Sequence, residues 1–96
     1  MAAYVIADVE VHDPAGYEEY RSQTAATVAQ YDGRFLVRGG AVSPIEGEWS
    51  PERVIVIEFA SVERAREWVD SPEYSAIKVI RHRTARTNLI IVEGAS

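Results

Sequence analysis

Strand-forming and helix-forming segments alternate along the chain, and their order limits the folds open to it more than any other feature does. β-Branched and aromatic residues predict strands over 3–11, 34–38, 53–59 and 87–93. Helical periodicity predicts helices over 14–31, 61–70 and 71–83. The order is β-α-β-β-α-β with the second helical unit broken in two. It predicts a single α+β domain over residues 1–96, with a ferredoxin-like antiparallel sheet and helices on one face.

Residues with special backbone preferences mark the ends of these segments. Asp13 and Ser71, each followed by proline, are expected to cap the helices that follow them. Gly33 is expected to end the first helix in a left-handed conformation. Residues 41–52 are rich in turn formers, and a short strand near Val42 is left open.

The composition bounds the class of protein. Hydrophobic residues make up 47% of the chain, which is enough for a packed core. The chain has no cysteine, so disulfides and thiolate chemistry are excluded. The first residues do not resemble a signal peptide and no apolar run matches a membrane span, so a cytoplasmic location without membrane contact is expected. The net charge of −5 opposes nucleic-acid binding, and the basic run 81–86 is interpreted as a helix end.

Several strands are apolar on both faces, which predicts a second covering layer. Residues 4–7, 54–57 and 89–92 carry no charged side chain. A chain of this length has helices enough to cover one face of the sheet. The economical cover for the other face is the sheet of a second copy, so we expect a homodimer in which two sheets face each other. The alternative is that the pattern reflects β propensity alone.

Charged residues within the strands mark a candidate cleft. Strand side chains alternate between two faces, and the wholly apolar sets are expected to face the helices. The face toward the partner sheet then combines charged and apolar residues, namely Asp8, Glu10, Arg34, Arg38 and Glu58 beside Tyr4, Ile6, Val54 and Val56. An apolar cleft with a few charged groups is typical of a small-molecule pocket. The alternative is that these charges neutralise one another and fix the register of the dimer.

The residue types suggest chemical roles within this cleft. Glu58 or Asp8 is the candidate general base, and Arg38 is the candidate group for holding an anion or oxyanion. The remaining candidate ligand-binding residues are Tyr4, Ile6, Glu10, Arg34, Val56 and Trp49. Trp49 lies in the turn-rich segment and is interpreted either as a lid over the cleft or as a dimer anchor.

Other chemistries find less support in the sequence. Haem needs an axial ligand, and both histidines, His12 and His82, are interpreted as surface residues. Neither a metal nor a cofactor is expected, and Ser61 and Ser71 are explained as helix caps rather than nucleophiles. The tyrosines of the first helix form a stripe that is interpreted as core, and Trp68 is placed at the edge of its helix's buried face.

Five segments in a fixed order resemble a known family. They are Arg38-Gly39-Gly40, Glu46-Gly47-Glu48-Trp49, the strand 53–59, Trp68-Val69-Asp70-Ser71-Pro72-Glu73-Tyr74 and the closing residues 91–94. Over nearly its whole length the chain is similar to the domain of unknown function 1330 family (DUF1330), within the dimeric α+β barrel superfamily. Many relatives have Trp-Tyr and Phe-Pro-Ser where this chain has Trp68-Val69 and Phe59-Ala60-Ser61.

The resemblance implies a homodimer whose two sheets face each other around a cleft, and it implies no particular reaction. The superfamily resembles a set of small-molecule enzymes: cofactor-free oxygenases, haem degraders and muconolactone-type isomerases. Carrying any of these activities to this chain would rest on the fold alone.

Two functions from different classes follow. In the first, a small homodimer binds a small apolar or aromatic metabolite in the cleft over the sheet, with oxygenase-like or isomerase-like chemistry as a further step. The alternative is a non-catalytic dimeric binding or assembly module in which the cleft charges only fix the interface. Replacing Glu58 by glutamine separates the two, because it removes a base in the first case and a dimer contact in the second.

Overall fold

Residues 1–95, which the structure describes, form seven helices and strands. The computed structural model contains β1 (Ala3–Val11), α1 (Pro14–Gln30), β2 (Arg34–Arg38), β3 (Val54–Phe59), α2 (Val62–Val69), α3 (Pro72–Thr84) and β4 (Ala85–Glu93). The strands form one antiparallel sheet in the order β2-β3-β1-β4, with the helices on one face, which confirms the predicted ferredoxin-like fold. The described residues form no strand around Val42, and none of their helices is both long enough and apolar enough to cross a membrane.

The predicted caps form, whereas the end of α1 differs from expectation. The carboxylate of Asp13 accepts a hydrogen bond of 3.1 Å from the amide of Gly16, and the hydroxyl of Ser71 accepts one of 3.0 Å from the amide of Tyr74. The left-handed residue after α1 is Asp32, with φ of 60°, and not Gly33. Gly33 is needed for space instead, because a Cβ there would lie 2.6 Å from the ring of Phe59.

The core lies between the sheet and the helices. Strands β1 and β3 bury the side chains of one parity, including Val5, Val9, Ile55, Ile57 and Phe59. Trp68 is only 1% exposed, so its expected place at the edge of α2 was wrong. Its indole N–H donates to the hydroxyl of Thr27 at 3.1 Å, and its ring lies 4.0 Å from that of Tyr74. The polar atom of the indole is thereby satisfied, which lets the whole side chain enter the core.

Candidate functional site

The other side of the sheet is not covered by a helix and is called the open face below. Its members are Tyr4, Ile6, Asp8 and Glu10 of β1, Arg34 and Val37 of β2, Val54, Val56 and Glu58 of β3, and Arg86, Asn88, Ile90 and Val92 of β4. Nine residues were predicted as candidate bases or ligand-binding residues, and seven of them lie on this face of the strands, as the alternation predicted. The two exceptions are Arg38 and the loop residue Trp49.

Glu58, one of the two candidate bases, is already paired within the chain. Its Oε1 lies 2.7 Å from Nε of Arg34, and its Oε2 accepts a hydrogen bond of 3.4 Å from the hydroxyl of Tyr4. The side chain of Glu58 is 25% exposed and that of Arg34 is 72% exposed. Because the ion pair neutralises the carboxylate, this contact favours the structural alternative for Glu58 over the role of a free base.

Asp8, the other candidate base, lies apart from Glu58. In the register of β1 and β3, Glu58 pairs with Tyr4 and Asp8 pairs with Val54, so the carboxylates are four residues apart along β1. That separation is roughly 13 Å along a strand. Asp8 instead accepts a hydrogen bond of 3.0 Å from the indole of Trp49, which brings the loop between β2 and β3 over the open face. The two carboxylates therefore do not form one acid–base site.

The prediction that Arg38 faces the partner sheet was wrong. A β-bulge interrupts the pairing of β2 with β3 between Phe35 and Val37, and Leu36 is the extra residue. Arg38 consequently pairs with Ile55, which faces the helices. Its guanidinium lies 4.2 Å from the centre of the Phe35 ring and donates a hydrogen bond of 2.8 Å to the carbonyl of Arg21 in α1.

Arg38 instead lines a cavity between the sheet and the helices, called the interlayer cavity below. About 450 Å³ of space free of protein atoms lies within its outline, and part of that space is open to solvent. The centre of a water molecule fits in only about 30 Å³. The apolar part of its wall consists of Val5, Ala7, Val9, Phe35, Ile55, Ile57, Trp68 and Leu89. The polar part consists of Tyr17, Tyr20, Arg21, Thr24, Arg38, Arg53, Tyr74 and Arg81.

The arginines of the interlayer cavity come from four different elements or their ends. Arg21 lies on α1, Arg38 on β2, Arg81 on α3, and Arg53 directly before β3. Burial and then the positive charges of Arg21 and Arg53 lower the pKa of Arg38 below its ordinary value. The cavity therefore combines an apolar part of its wall with a positive electrostatic potential.

Two buried tyrosines join α1 to α3 at the inner end of this cavity. The hydroxyls of Tyr20 and Tyr74 are 2.8 Å apart, and Nε of Arg81 donates to the Tyr74 hydroxyl at 3.2 Å. Burial, together with the neighbouring Tyr74, raises the pKa of Tyr20 far above its ordinary value. Tyr20 therefore stays protonated and acts as a hydrogen-bond donor or acceptor rather than as a phenolate.

Arg38 was the only residue of this cavity among the candidate site residues, and of those missed, Arg53 and Arg81 carried a signal in the sequence. Arg53 has the same strand parity as Ile55 and Ile57, which the helix-facing set already contained. Arg81 follows Tyr74 and Ile77 at helical spacing, so it belongs to the buried face of α3. Arg53 could have been found by extending the buried positions of β3 toward the N-terminus, and Arg81 by extending those of α3 toward the C-terminus.

The fold and the cavity define the chain as a ferredoxin-like α+β domain with an internal, arginine-lined pocket. It belongs to the domain of unknown function family DUF1330, whose model matches residues 2–95. No curated protein matches the chain by sequence.

Solved structures share the fold at low sequence identity. RPA0582 from Rhodopseudomonas palustris, a protein of unknown function, superposes with a TM-score of 0.77 at 16% identity, covering 99% of this chain and 83% of that one. SnoaB from Streptomyces nogalater, a cofactor-independent oxygenase, gives 0.61 at 15% identity, with coverage of 99% and 93%. A dimeric protein of unknown function with a ferredoxin-like fold from Bacteroides fragilis gives 0.66 at 14% identity, with coverage of 97% and 96%.

Proposed function

We propose that the chain is a cytoplasmic protein that binds a small, largely apolar or aromatic metabolite in the interlayer cavity. The observation that carries the proposal is the wall of this cavity, in which eight apolar side chains and three tyrosine rings accompany four arginines and one threonine. Binding pockets for small molecules have this composition. The open face fits less well as the binding site, because its best-placed carboxylate, Glu58, is paired with Arg34 at 2.7 Å.

Ligand entry requires side chains at the mouth to move. The 30 Å³ in which the centre of a water molecule fits corresponds to roughly two water molecules. The side chain of Arg21 is 43% exposed and Arg38 is half-buried, which puts the mouth between α1 and β2. Both are long and flexible side chains, so their displacement would widen the mouth of the cavity.

The two tryptophans of the chain provide a test of this location. Trp68 lines the interlayer cavity, whereas Trp49 is 65% exposed beside the open face. Trp49→Phe therefore leaves a reporter in the cavity, and Trp68→Phe leaves one on the open face. We expect the quencher 4-nitrobenzamide to saturably quench the first protein and not the second. If the quencher instead affected Trp49 alone, the binding site would lie on the open face. In a separate experiment, native mass spectrometry of the wild type would show any ligand retained on purification.

Catalysis is the second candidate function. Hydrogen-bond donors that surround a substrate oxygen stabilise an enolate or phenolate, as isomerisation and cofactor-free oxygenation require. SnoaB, a cofactor-independent oxygenase, shares the fold. The roles of Glu58 and Asp8 as bases stay predictions and concern the open face, because both residues lie on the side of the sheet opposite the interlayer cavity. Glu58→Gln should therefore leave quenching of Trp68 unchanged, and unchanged turnover in this variant would remove Glu58 from the mechanism.

The open face is proposed to pair with the same face of a second copy. Apolar side chains such as Ile90, Val37 and Val92 are 55%, 40% and 40% exposed on this side of the sheet. Large exposed apolar patches mark interaction surfaces, and a second copy is the partner that two-fold symmetry supplies. On this proposal Trp49 and the Arg34–Glu58 pair lie at the interface, where the charges fix the register rather than perform chemistry.

A further inference from the structure

We propose that the ligand of the interlayer cavity is an organic anion, an apolar or aromatic body whose charged group binds the donors that line the cavity, chiefly Arg53 and the paired hydroxyls of Tyr20 and Tyr74. This inference rests on the proposed function and adds to it the charge and the binding groups of the ligand. Three independent observations lead to it: the balance of charge in the cavity, an unpaired nitrogen, and a surplus hydroxyl proton.

The balance of charge around the cavity is strongly positive. The chain as a whole carries a net charge of −5, with 10 lysines and arginines. Four of those ten, including Arg53 and Arg81, line this one cavity, and its wall contains no aspartate or glutamate. Within residues 1–95, Arg21 alone of the four has a carboxylate within 4 Å, that of Glu18 at 3.5 Å. Arg81 is buried and Arg38 and Arg53 are half-buried, all three without a carboxylate partner among residues 1–95. Withdrawing a cation from water without a counter-charge is costly, so this arrangement indicates a site for a negative group.

The side chain of Arg53 offers a donor that the described part of the chain leaves unused. Its Nε is buried and has no hydrogen-bond partner within residues 1–95. A buried donor without an acceptor costs about 1–3 kcal/mol, and native proteins rarely leave one. An oxyanion beside this nitrogen would satisfy it with a charge-assisted hydrogen bond.

Arg53 is also held rigidly, as a binding group should be. Its guanidinium lies 5.5 Å from the centre of the Tyr17 ring. On another side it packs against Gly39, where a Cβ would come within 2.6 Å of the guanidinium carbon. A donor fixed by its surroundings loses little conformational entropy when a ligand binds.

The tyrosine pair supplies one more donor. Each hydroxyl has one proton, and the contact of 2.8 Å between Tyr20 and Tyr74 uses only one of the two. Arg81 donates to the Tyr74 oxygen, so it consumes an acceptor site and no proton. Within residues 1–95 neither hydroxyl donates to any other group, so one O–H is left over to face the cavity. A ligand oxygen can accept this proton, and an anionic oxygen accepts it most strongly.

The test compares two quenchers of nearly equal size that differ in charge. 4-Nitrobenzoate and 4-nitrobenzamide are titrated into the Trp49→Phe protein at about 0.15 M salt, where long-range attraction is screened. We expect the carboxylate to bind at least tenfold more tightly than the amide. Arg53→Gln should remove most of that preference, while Arg66→Gln, on the exposed side of α2, serves as the matched control and should retain it.

Each other outcome contradicts part of the argument. Equal affinity for the two quenchers, or an unchanged preference in the Arg53→Gln variant, would overturn the anionic ligand and leave the cavity standing as a binding site. Quenching by neither compound would overturn the cavity itself and the inference with it. Circular dichroism checks that each variant is folded, and Arg53→Met, which removes the same charge and donors, replaces Arg53→Gln if the latter does not fold.

Discussion

At the scale of single residues, the contact between Tyr74 and Arg81 makes the two buried tyrosines unequal. Tyr20→Phe removes one hydrogen bond and leaves no new group unpaired, so we expect a loss of about 1 kcal/mol in the free energy of unfolding. Tyr74→Phe removes the same bond and also deprives the nearly buried Arg81 of its acceptor, so the loss should reach about 2–3 kcal/mol. Urea denaturation of both variants measures the difference in the free energy of unfolding. A larger loss for Tyr20→Phe would contradict the stabilising role of the hydrogen bond between Arg81 and Tyr74.

Two glycines with left-handed backbones allow the effect of backbone strain to be distinguished from the effect of a steric contact. Gly39 has φ of 76° and Gly47 has φ of 83°, so alanine at either position costs roughly 1–2 kcal/mol of backbone strain. Only at Gly39 would the added Cβ meet the Arg53 guanidinium, whereas nothing lies within 4 Å at Gly47. We therefore expect Gly39→Ala to weaken 4-nitrobenzoate binding by displacing the flexible end of Arg53, with little cost in stability beyond the backbone strain.

Gly47→Ala is the matched control in that comparison. It should lower the free energy of unfolding through strain alone and leave 4-nitrobenzoate affinity unchanged, because Gly47 touches no side chain of the cavity. Equal affinities in the two alanine variants would mean that the position of Arg53 does not matter for binding.

At the scale of helices and strands, the joint between α2 and α3 depends on one serine. The hydroxyl of Ser71 accepts from the amide of Tyr74 at 3.0 Å and donates to the carbonyl of Trp68 at 2.7 Å, within a nearly fully buried side chain. Ser61 makes a single cap contact of 3.1 Å in a half-buried position. We expect Ser71→Ala to cost about 2 kcal/mol and Ser61→Ala about 0.5–1 kcal/mol in thermal or urea unfolding. Equal losses would show that the second contact of Ser71 adds no stability.

The elements themselves could be predicted from the sequence, because each depends on local patterns. Strand alternation in β1 predicted which side chains face the helices, and Pro after Asp13 and Ser71 predicted two helix starts. The bulge in β2 could not be predicted in this way. Leu36 and Val37 are as apolar as any helix-facing pair, yet both are exposed, and a single extra residue reverses the face that Arg38 occupies.

The interlayer cavity escaped prediction for a related reason. Arginine is rarely buried, so a pattern of apolar residues is normally ended where one appears. Arg53 and Arg81 continue the buried faces of β3 and α3 instead, and folding brings their long side chains into the wall of one cavity. Which arginines converge depends on tertiary packing, and no spacing along the sequence encodes it.

At the scale of the whole molecule, the sheet has one face covered by helices and one left open. The open face carries apolar residues on all four strands, with charged residues among them. A stable interface between two chains buries about 1,200–2,000 Å², which a four-stranded sheet face can supply. Pairing of two such faces would leave each interlayer cavity on the outer side of its own sheet, so ligand binding and dimerisation can be measured independently.

A charge placed on the open face tests that assembly. Ile90 on β4 is 55% exposed and Val79 on α3 is 58% exposed, so lysine at either position should change the stability of a single chain by no more than about 0.5 kcal/mol. Ile90→Lys would bury an unpaired ammonium against the partner sheet and should convert the dimer to monomer at about 10 µM, because an uncompensated charge at an interface costs several kcal/mol. Val79→Lys lies on the helix side and should remain dimeric. Sedimentation equilibrium distinguishes the species. A monomeric wild type, or equal dimerisation of both variants, would exclude the open face as the interface, while the quenching of Trp68 would still report on the cavity.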